Sequence, residues 1–314
     1  MSWWICHLIQ HVQHRATQLI TKYAFDIVLV TDEESREDWK FLNYIRAWDC
    51  GPRHATIEIW QNQNTQEKCV WKSCEPDGQA FNELELVSLL DKHPNVCSIT
   101  HIVLSQDNFN VDFIGMPLFC QWNLSKFLLY KKEMFTFEVS MRVFRQILHG
   151  LQFLHNRRII HHDLCPENIF VTDENLGHVA VGDLGIAVVD LGKNPIPNYD
   201  YQGRANYRAP EPVLTTNSDI FALFSLTRQL FFANAIPCSD VSELEPDIVK
   251  FFQETPAALK HYRVNKGDAI RMVIGQLLRH PPNWIVELID SFENEDPSKR
   301  PTCQEILKIL EVHE

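Results

Sequence analysis

Two short apolar runs, each ending in a polar cluster, constrain this chain more than any other feature. Ile159-Ile160 runs into His161-His162-Asp163, with Asn168 five residues after the aspartate. Twenty positions beyond Asp163, Val179-Ala180-Val181 runs into Gly182-Asp183-Leu184-Gly185. Short apolar runs bounded by turn residues predict buried strands, so both clusters are expected on loops at strand ends. Two carboxylates and a carboxamide delivered in this way suit one chemistry. One carboxylate can take a proton from a hydroxyl, while oxygens of the other two side chains hold magnesium on phosphates. A lone His-x-Asp or Asp-x-Gly is common by chance. The ordered pair, at this spacing and in strand context, is specific.

Three further segments follow in order: Tyr207-Arg208-Ala209-Pro210-Glu211, Ser218-Asp219-Ile220-Phe221 and Asp296-Pro297-Ser298-Lys299-Arg300-Pro301-Thr302. Together the five motifs resemble the protein-kinase family, over roughly residues 41–314. The resemblance implies that Asp163 is the catalytic base and that Asn168 and Asp183 are magnesium ligands. It implies that Asp219 supports the catalytic loop from below. Glu211 and Arg300 would form a buried ion pair, costly to break from one side. Small-molecule kinases of the aminoglycoside and choline type share the first loop but generally lack the Ala-Pro-Glu segment and its arginine partner, both present here. The implied fold is α+β and bilobal. A small β-rich N-lobe with one main helix takes residues 41–117, a hinge takes 118–122, and a larger, mostly helical C-lobe takes 123–314. The implied activity is transfer of the γ-phosphate of ATP, with Mg2+, to a protein substrate. Leu164-Cys165-Pro166-Glu167-Asn168 resembles the form found in Ser/Thr kinases.

The patterning on either side agrees. Tyr44–Trp48, Ala55–Trp60 and Lys68–Lys72 read as strands between Gly, Pro, Asn and Gln clusters, with one helix near residues 79–91. From residue 123 onward helical periodicity dominates, with Val143/Phe144, Ile147/Leu148, Leu151 and Leu154 on one stripe. Lys72, on a short apolar strand about twenty residues after Gly51, fits the nucleotide-binding lysine of the family. Its partner is Glu83 or Glu85. Glu83 is preferred, because Leu84, Val87 and Leu90 then fall at +1, +4 and +7, whereas Glu85 places Lys92 at +7. Met116 or Pro117 is the gatekeeper before the hinge, and adenine would meet backbone within residues 118–121.

Four departures bear on activity. The glycine-rich loop Trp48-Asp49-Cys50-Gly51-Pro52-Arg53-His54 keeps only Gly51, and Asp49 brings negative charge towards an anion. His162 stands where relatives carry an arginine that receives an activation-segment phosphate. Residues 184–210 contain no Ser or Thr, only Tyr199, Tyr201 and Tyr207, so control by Ser/Thr phosphorylation there is not expected. Cys165 replaces the lysine that neutralises the transferring phosphate, and Arg204 replaces the threonine of the segment before Tyr207. Two readings of Arg204 stay open: it supplies the charge that Cys165 does not, or it pairs with Asp163 and idles the base. They correspond to two functions, an active Ser/Thr kinase and a pseudokinase scaffold that binds nucleotide or partners with little turnover. Lys72, Glu83, Asp163, Asn168 and Asp183 support the first.

A formal net charge of −12 gives little electrostatic support to nucleic-acid binding. Nine scattered cysteines without a CxxC pair point to reduced thiols rather than a disulfide framework or zinc site. No apolar run approaches the ~18 residues of a membrane span, and the N-terminus lacks the basic start and cleavage site of a signal peptide. The cytoplasm or nucleus is therefore the expected location. Residues 1–40 read as an extension, an amphipathic helix over 3–23 followed by the acidic linker Thr31–Asp38. The helix carries His7, His11 and His14, and docking on the main domain is preferred to a metal site. A regulatory protein is a further possible partner.

Overall fold

Strand-forming residues between 39 and 117 pair into one sheet, and the described residues after 123 are mostly helical. The computed structural model describes residues 28–30, 36–45, 56–73, 82–84, 86, 90–104, 111–118, 123–199, 203–232 and 281–313. The strands of the sheet are β1 (Val28–Val30), β2 (Trp39–Ile45), β3 (Ile57–Asn62), β4 (Lys68–Ser73), β5 (His101–Leu104) and β6 (Val111–Pro117). Their order is β1-β5-β6-β4-β3-β2. All neighbours are antiparallel except β1, which lies parallel to β5 from Val28↔His101 to Val30↔Val103. The sheet thus reaches back into residues read from sequence as an extension, because Val28-Leu29-Val30 is a β-favouring run able to add to an edge. Beside it Arg36 pairs with Asp112 at 2.9 Å, so part of the acidic segment also docks on the sheet.

Trp71 on β4 organises the interior of this lobe. It stacks on Trp60 at 4.4 Å, leans on Trp39 at 5.5 Å and is 2% exposed. An aromatic of this size buries roughly 150–250 Å², worth several kcal/mol at about 25 cal/mol per Å². Alternation along β4 turns Cys69 and Trp71 inward and leaves Lys72 on the opposite face, in register with Ile57 and Ile114.

Among the described residues, the helices of the larger lobe are α1 (Leu124–Tyr130), α2 (Phe137–His155), α3 (Thr216–Phe232), α4 (Asn283–Ser291) and α5 (Cys303–Val312). Thr136 caps α2 by accepting from Val139 N, and its buried stripe is the one read from sequence: Val143, Phe144, Ile147, Leu148, Leu151 and Leu154. Residues 95–97 thread between α2 and the short hairpin of β8 (Ile169–Val171) and β9 (Val179–Val181). Val181 N donates to Asn95 O at 2.9 Å, and Cys97 N donates to Val181 O at 2.7 Å. Gly150 makes the passage possible, since a β-carbon there would lie 2.3 Å from Asn95 O. This thread ties the sheet lobe to the helical lobe beside the two polar clusters. Among the described residues no helix is long and apolar enough to cross a membrane.

Candidate active site

β7 (Ile159–Ile160) is fully buried and delivers His161 into the interior. Asp219, in the first turn of α3, receives the loop: His161 N donates to its Oδ2 at 2.8 Å and His162 N to its Oδ1 at 2.9 Å. Both donors reach one carboxylate because His162 takes φ 66, a left-handed turn. That turn costs roughly 1–2 kcal/mol, and hydrogen bonds to a buried charge, about 1.5–3 kcal/mol each, offset it. His155 Nε2 lies 2.8 Å from Asp219 Oδ2 as well. Burial works against the imidazolium, but the Asp219 bond prevails and His155 is pushed up to about 10. For Asp219 burial is again the opposing influence, and His155 holds its carboxyl below the usual range. His161 completes the support: its Nδ1 accepts from Asp163 N at 3.2 Å, so its Nε2 donates to Gly182 O at 2.9 Å.

Asp163 emerges from this scaffold with one oxygen engaged. Asn168 Nδ2 donates to Asp163 Oδ2 at 2.9 Å and to Asp163 O at 2.8 Å, while Asp163 Oδ1 is buried without a hydrogen-bond partner. Burial raises its pKa against the pull of His161, Asn168 and Arg204. A carboxylate whose pKa is raised towards neutrality is better matched to receiving a proton.

Across the cleft, Lys72 Nζ lies 2.8 Å from Glu83 Oε2 and 2.7 Å from Asp183 Oδ1. Burial alone would drive the ammonium towards neutrality, but Glu83 and Asp183 raise its pKa and keep it charged. Lys72 likewise overcomes burial to hold Asp183 below the usual carboxylate range. Asp183 has φ 60, which turns the aspartate back towards the lysine. Asp183 keeps 40% of its side-chain surface open. The carboxylate of Asp183 and the side-chain carbonyl of Asn168 are hard oxygen donors of the type magnesium takes, and the buried Asp163 Oδ1 has no hydrogen-bond partner. These residues fit a bound metal–nucleotide.

Below the cleft, Arg300 Nη1 and Nη2 meet Glu211 Oε1 and Oε2 at 2.7 and 3.0 Å. Arg204 meets a carboxylate that neither sequence reading named, and its charge also lowers the pKa of Asp163 and of Cys165 against their burial. Its Nη1 sits 3.0 Å from Glu167 Oε2, while Glu167 Oε1 accepts from Ser125 Oγ at 3.0 Å. The reason is local: the turn Pro166–Asn168 swings Glu167 towards α1 and the start of Arg204's segment. Cys165 is fully buried, and burial pushes its thiol up, so it stays protonated and uncharged.

The structure therefore brings Lys72, Glu83, Asp163, Asn168 and Asp183 around one cleft, with Arg204 at its edge. Leu84, at +1 from Glu83, is buried, and Leu90, at +7, is partly buried against the core. Gly51 with its loop, Glu85 and hinge residues 119–122 lie outside the described residues, as does the 3–23 helix. Three residues that the sequence did not single out also act here: His155, Asn82 and Asn198. A histidine in the last turn of α2 was the only available hint for the first.

A family model described as "Protein kinase domain" matches residues 55–310. Cyclin-dependent kinase F-3 of Oryza sativa subsp. japonica is 27% identical over 256 residues, 76% of this chain and 55% of that protein. Human serine/threonine-protein kinase MAK is 27% identical over 255 residues, 76% of this chain and 38% of that protein. Human serine/threonine-protein kinase Nek11 is 27% identical over 240 residues, 74% of this chain and 33% of that protein. The chain thus spans about half the length of the first relative and a third or slightly more of the other two.

Proposed function

Because the chain belongs to the protein kinase family, we propose that it transfers the γ-phosphate of ATP to Ser or Thr hydroxyls of a protein. The observation that carries the reading is the closed Glu83–Lys72–Asp183 chain facing an Asp163 with one unpaired oxygen. Lys72 holds a positive charge at the phosphates, and Glu83 keeps it from collapsing permanently onto Asp183. Asp183 and Asn168 would hold Mg2+, which neutralises charge on the transferring phosphoryl group. Asn168 orients Asp163 through Oδ2, leaving Oδ1 to take the substrate hydroxyl proton. The Ser/Thr preference rests on the Leu164–Asn168 pattern and on the printed names of the relatives. We place the chain inside the cell, in cytoplasm or nucleus, on its free buried Cys69, Cys97, Cys165 and Cys303.

One observation favours a second reading, a pseudokinase: Cys165 brings no charge, and Arg204 is paired with Glu167. A single experiment separates them. Labelled γ-phosphate transfer to a degenerate Ser/Thr peptide library is measured beside thermal shifts with ATP, with and without magnesium. The kinase reading expects transfer by wild type. It expects a loss of on the order of 10²-fold or more in Asp163→Asn, the size of a general base, with the nucleotide shift retained. Magnesium-dependent stabilisation without transfer establishes the pseudokinase, and no response to ATP overturns both.

A further inference from the structure

The connection from Asp183 to Glu211 links the metal-side carboxylate to the ion pair that anchors the C-lobe, and side-chain amides grip it at both ends. At its start, Asn82 Nδ2 lies 3.0 Å from Gly185 O and 2.9 Å from Ala187 O. Asn82 is the helical neighbour of Glu83, so the residue that fixes Lys72 and the residue that fixes this turn move as one body. β10 (Val188–Val189) then pairs with β7, and Asp190 N donates to Arg158 O at 2.8 Å. Near its end, β11 (Ile196–Pro197) pairs with β12 (Val213–Leu214). There Asn198 gives every donor it has to the closing segment. Its Nδ2 donates to Ala209 O at 2.9 Å and Glu211 O at 2.8 Å, and its N–H donates to Pro212 O at 2.9 Å.

Asn198 also reaches back to the catalytic loop. Its side chain lies near enough to His162 to raise that ring's basicity, although burial outweighs this and keeps the imidazole below the usual histidine range. Neither ring nitrogen of His162 closes a hydrogen bond, nor does Asn198 Oδ1.

We infer that Asn82 and Asn198 are positioning residues that hold residues 184–199 and 203–211 in working shape in the unmodified chain, Asn198 fixing the face on which a substrate peptide docks. Only Asn among small residues meets the demand at 198. Two backbone carbonyls must be satisfied by a short side chain with two N–H donors, and Asp, its isostere, would set a carboxylate against both. The absence of Ser and Thr from 184–210 is then a consequence: the segment does not need an added phosphate to order it. The kinetic part of this inference rests on the kinase reading above; the structural part does not.

The test uses full-length chain treated with a phosphatase active on phosphoserine, phosphothreonine and phosphotyrosine, with intact mass confirming no phosphate. Hydrogen exchange without ATP is expected to show peptides over 187–214 protected on the order of 10²-fold or more, as in cooperatively held structure. Asn198→Ala should lose at least tenfold of that protection over 196–214, and Asn198→Asp at least as much. In turnover, with the peptide best phosphorylated from a Ser/Thr library, wild type keeps its activity after phosphatase. Both variants are expected to raise the peptide KM at least tenfold and leave the ATP KM within twofold. A general loss of folded protein would lower kcat and move neither KM.

Activity or protection that depends on phosphate at Tyr199, Tyr201 or Tyr207 overturns the inference, as does an Asn198→Asp variant indistinguishable from wild type. Protection that depends on Asn198 in a chain that transfers no phosphate upholds the clamp while removing the kinase reading.

Discussion

Replacing Arg300 by alanine is expected to be among the most damaging single changes in the C-lobe, and the structure sets its size. The guanidinium has no exposed surface, and its partner Glu211 is 10% exposed. Besides both Glu211 oxygens, Arg300 donates to Asn217 O at 3.0 Å and Asn294 O at 2.9 Å, and stands 5.0 Å over the Phe221 ring. Alanine leaves a carboxylate and two carbonyls without these donors. Ser218 Oγ still donates to Glu211 Oε1 at 2.8 Å, so the carboxylate is not wholly abandoned. Breaking a buried pair from one side costs ~3–5 kcal/mol. The retained serine bond points to the lower end, about 3 kcal/mol, or on the order of 5–10 °C in Tm for a domain of this size. The assay is urea unfolding followed by tryptophan fluorescence, for wild type, Arg300→Ala, Glu211→Leu and the double variant. The double variant should be less damaged than Arg300→Ala alone, because it removes the orphaned charge with its partner. The pH dependence follows from Glu211, whose pKa burial raises but Arg300 and Ser218 carry below its ordinary 4.5. A depressed carboxylate contributes stability above its unfolded pKa and loses it as pH falls through its folded one. The gap between wild type and Arg300→Ala should therefore be level from pH 7 to about 5 and narrow below 4.5. A cost under about 1 kcal/mol, the worth of a surface pair, would refute the reasoning.

Two further outcomes follow from the same scaffold. His155, pushed from 6.5 to about 10, contributes stability that is complete below pH 6.5 and lost as pH rises through about 10; wild type should weaken between pH 7 and 10 with a slope that His155→Gln lacks, as chemical denaturation at stepped pH will show. Gly203→Ala and Gly192→Ala share a left-handed φ, 66 and 67, but only the first would drive a β-carbon to 2.8 Å from a backbone atom, His162 O. Both should lose roughly 1–2 kcal/mol for the turn, and Gly203→Ala measurably more by thermal unfolding, with lower phosphotransfer because His162 adjoins Asp163.

Much of the catalytic cleft was legible because local sequence dictates it. Ile159-Ile160 and Val179–Val181 bury themselves, and the polar clusters have nowhere to go but the strand ends. The helix phase that preferred Glu83 is of the same kind, since Leu84 and Leu90 pack inward when Glu83 faces Lys72. Asn82 and Asn198 carried no such signal. Each works by donating to carbonyls that only the finished fold brings near, Asn82 across a separation of 103 residues to Gly185. An asparagine in a loop looks the same in sequence whether it faces water or staples a backbone. β1 escaped for a different reason: the run at 28–30 is short, and its parallel partner β5 lies far along the chain, so no hairpin pattern announces it.

Arg204 shows where reasoning from charge alone fell short. The sequence posed two destinations for its guanidinium, the gap left at Cys165 or the carboxylate of Asp163. Both treat the arginine as a cation seeking the catalytic pair. The geometry adds a third destination, the carboxylate of Glu167, whose Oε1 is taken by Ser125 and whose Oε2 meets Arg204 at 3.0 Å. Glu167 discharges part of the guanidinium's field, and the remainder still reaches Asp163 and Cys165, lowering the pKa of each against their burial. Arg204 is thus partly compensated by Glu167. Its charge is nonetheless close enough to temper how far Asp163 rises. The balance between those two effects is set in part by Glu167 and Ser125, which ties Arg204 to α1 and to the turn Pro166–Asn168.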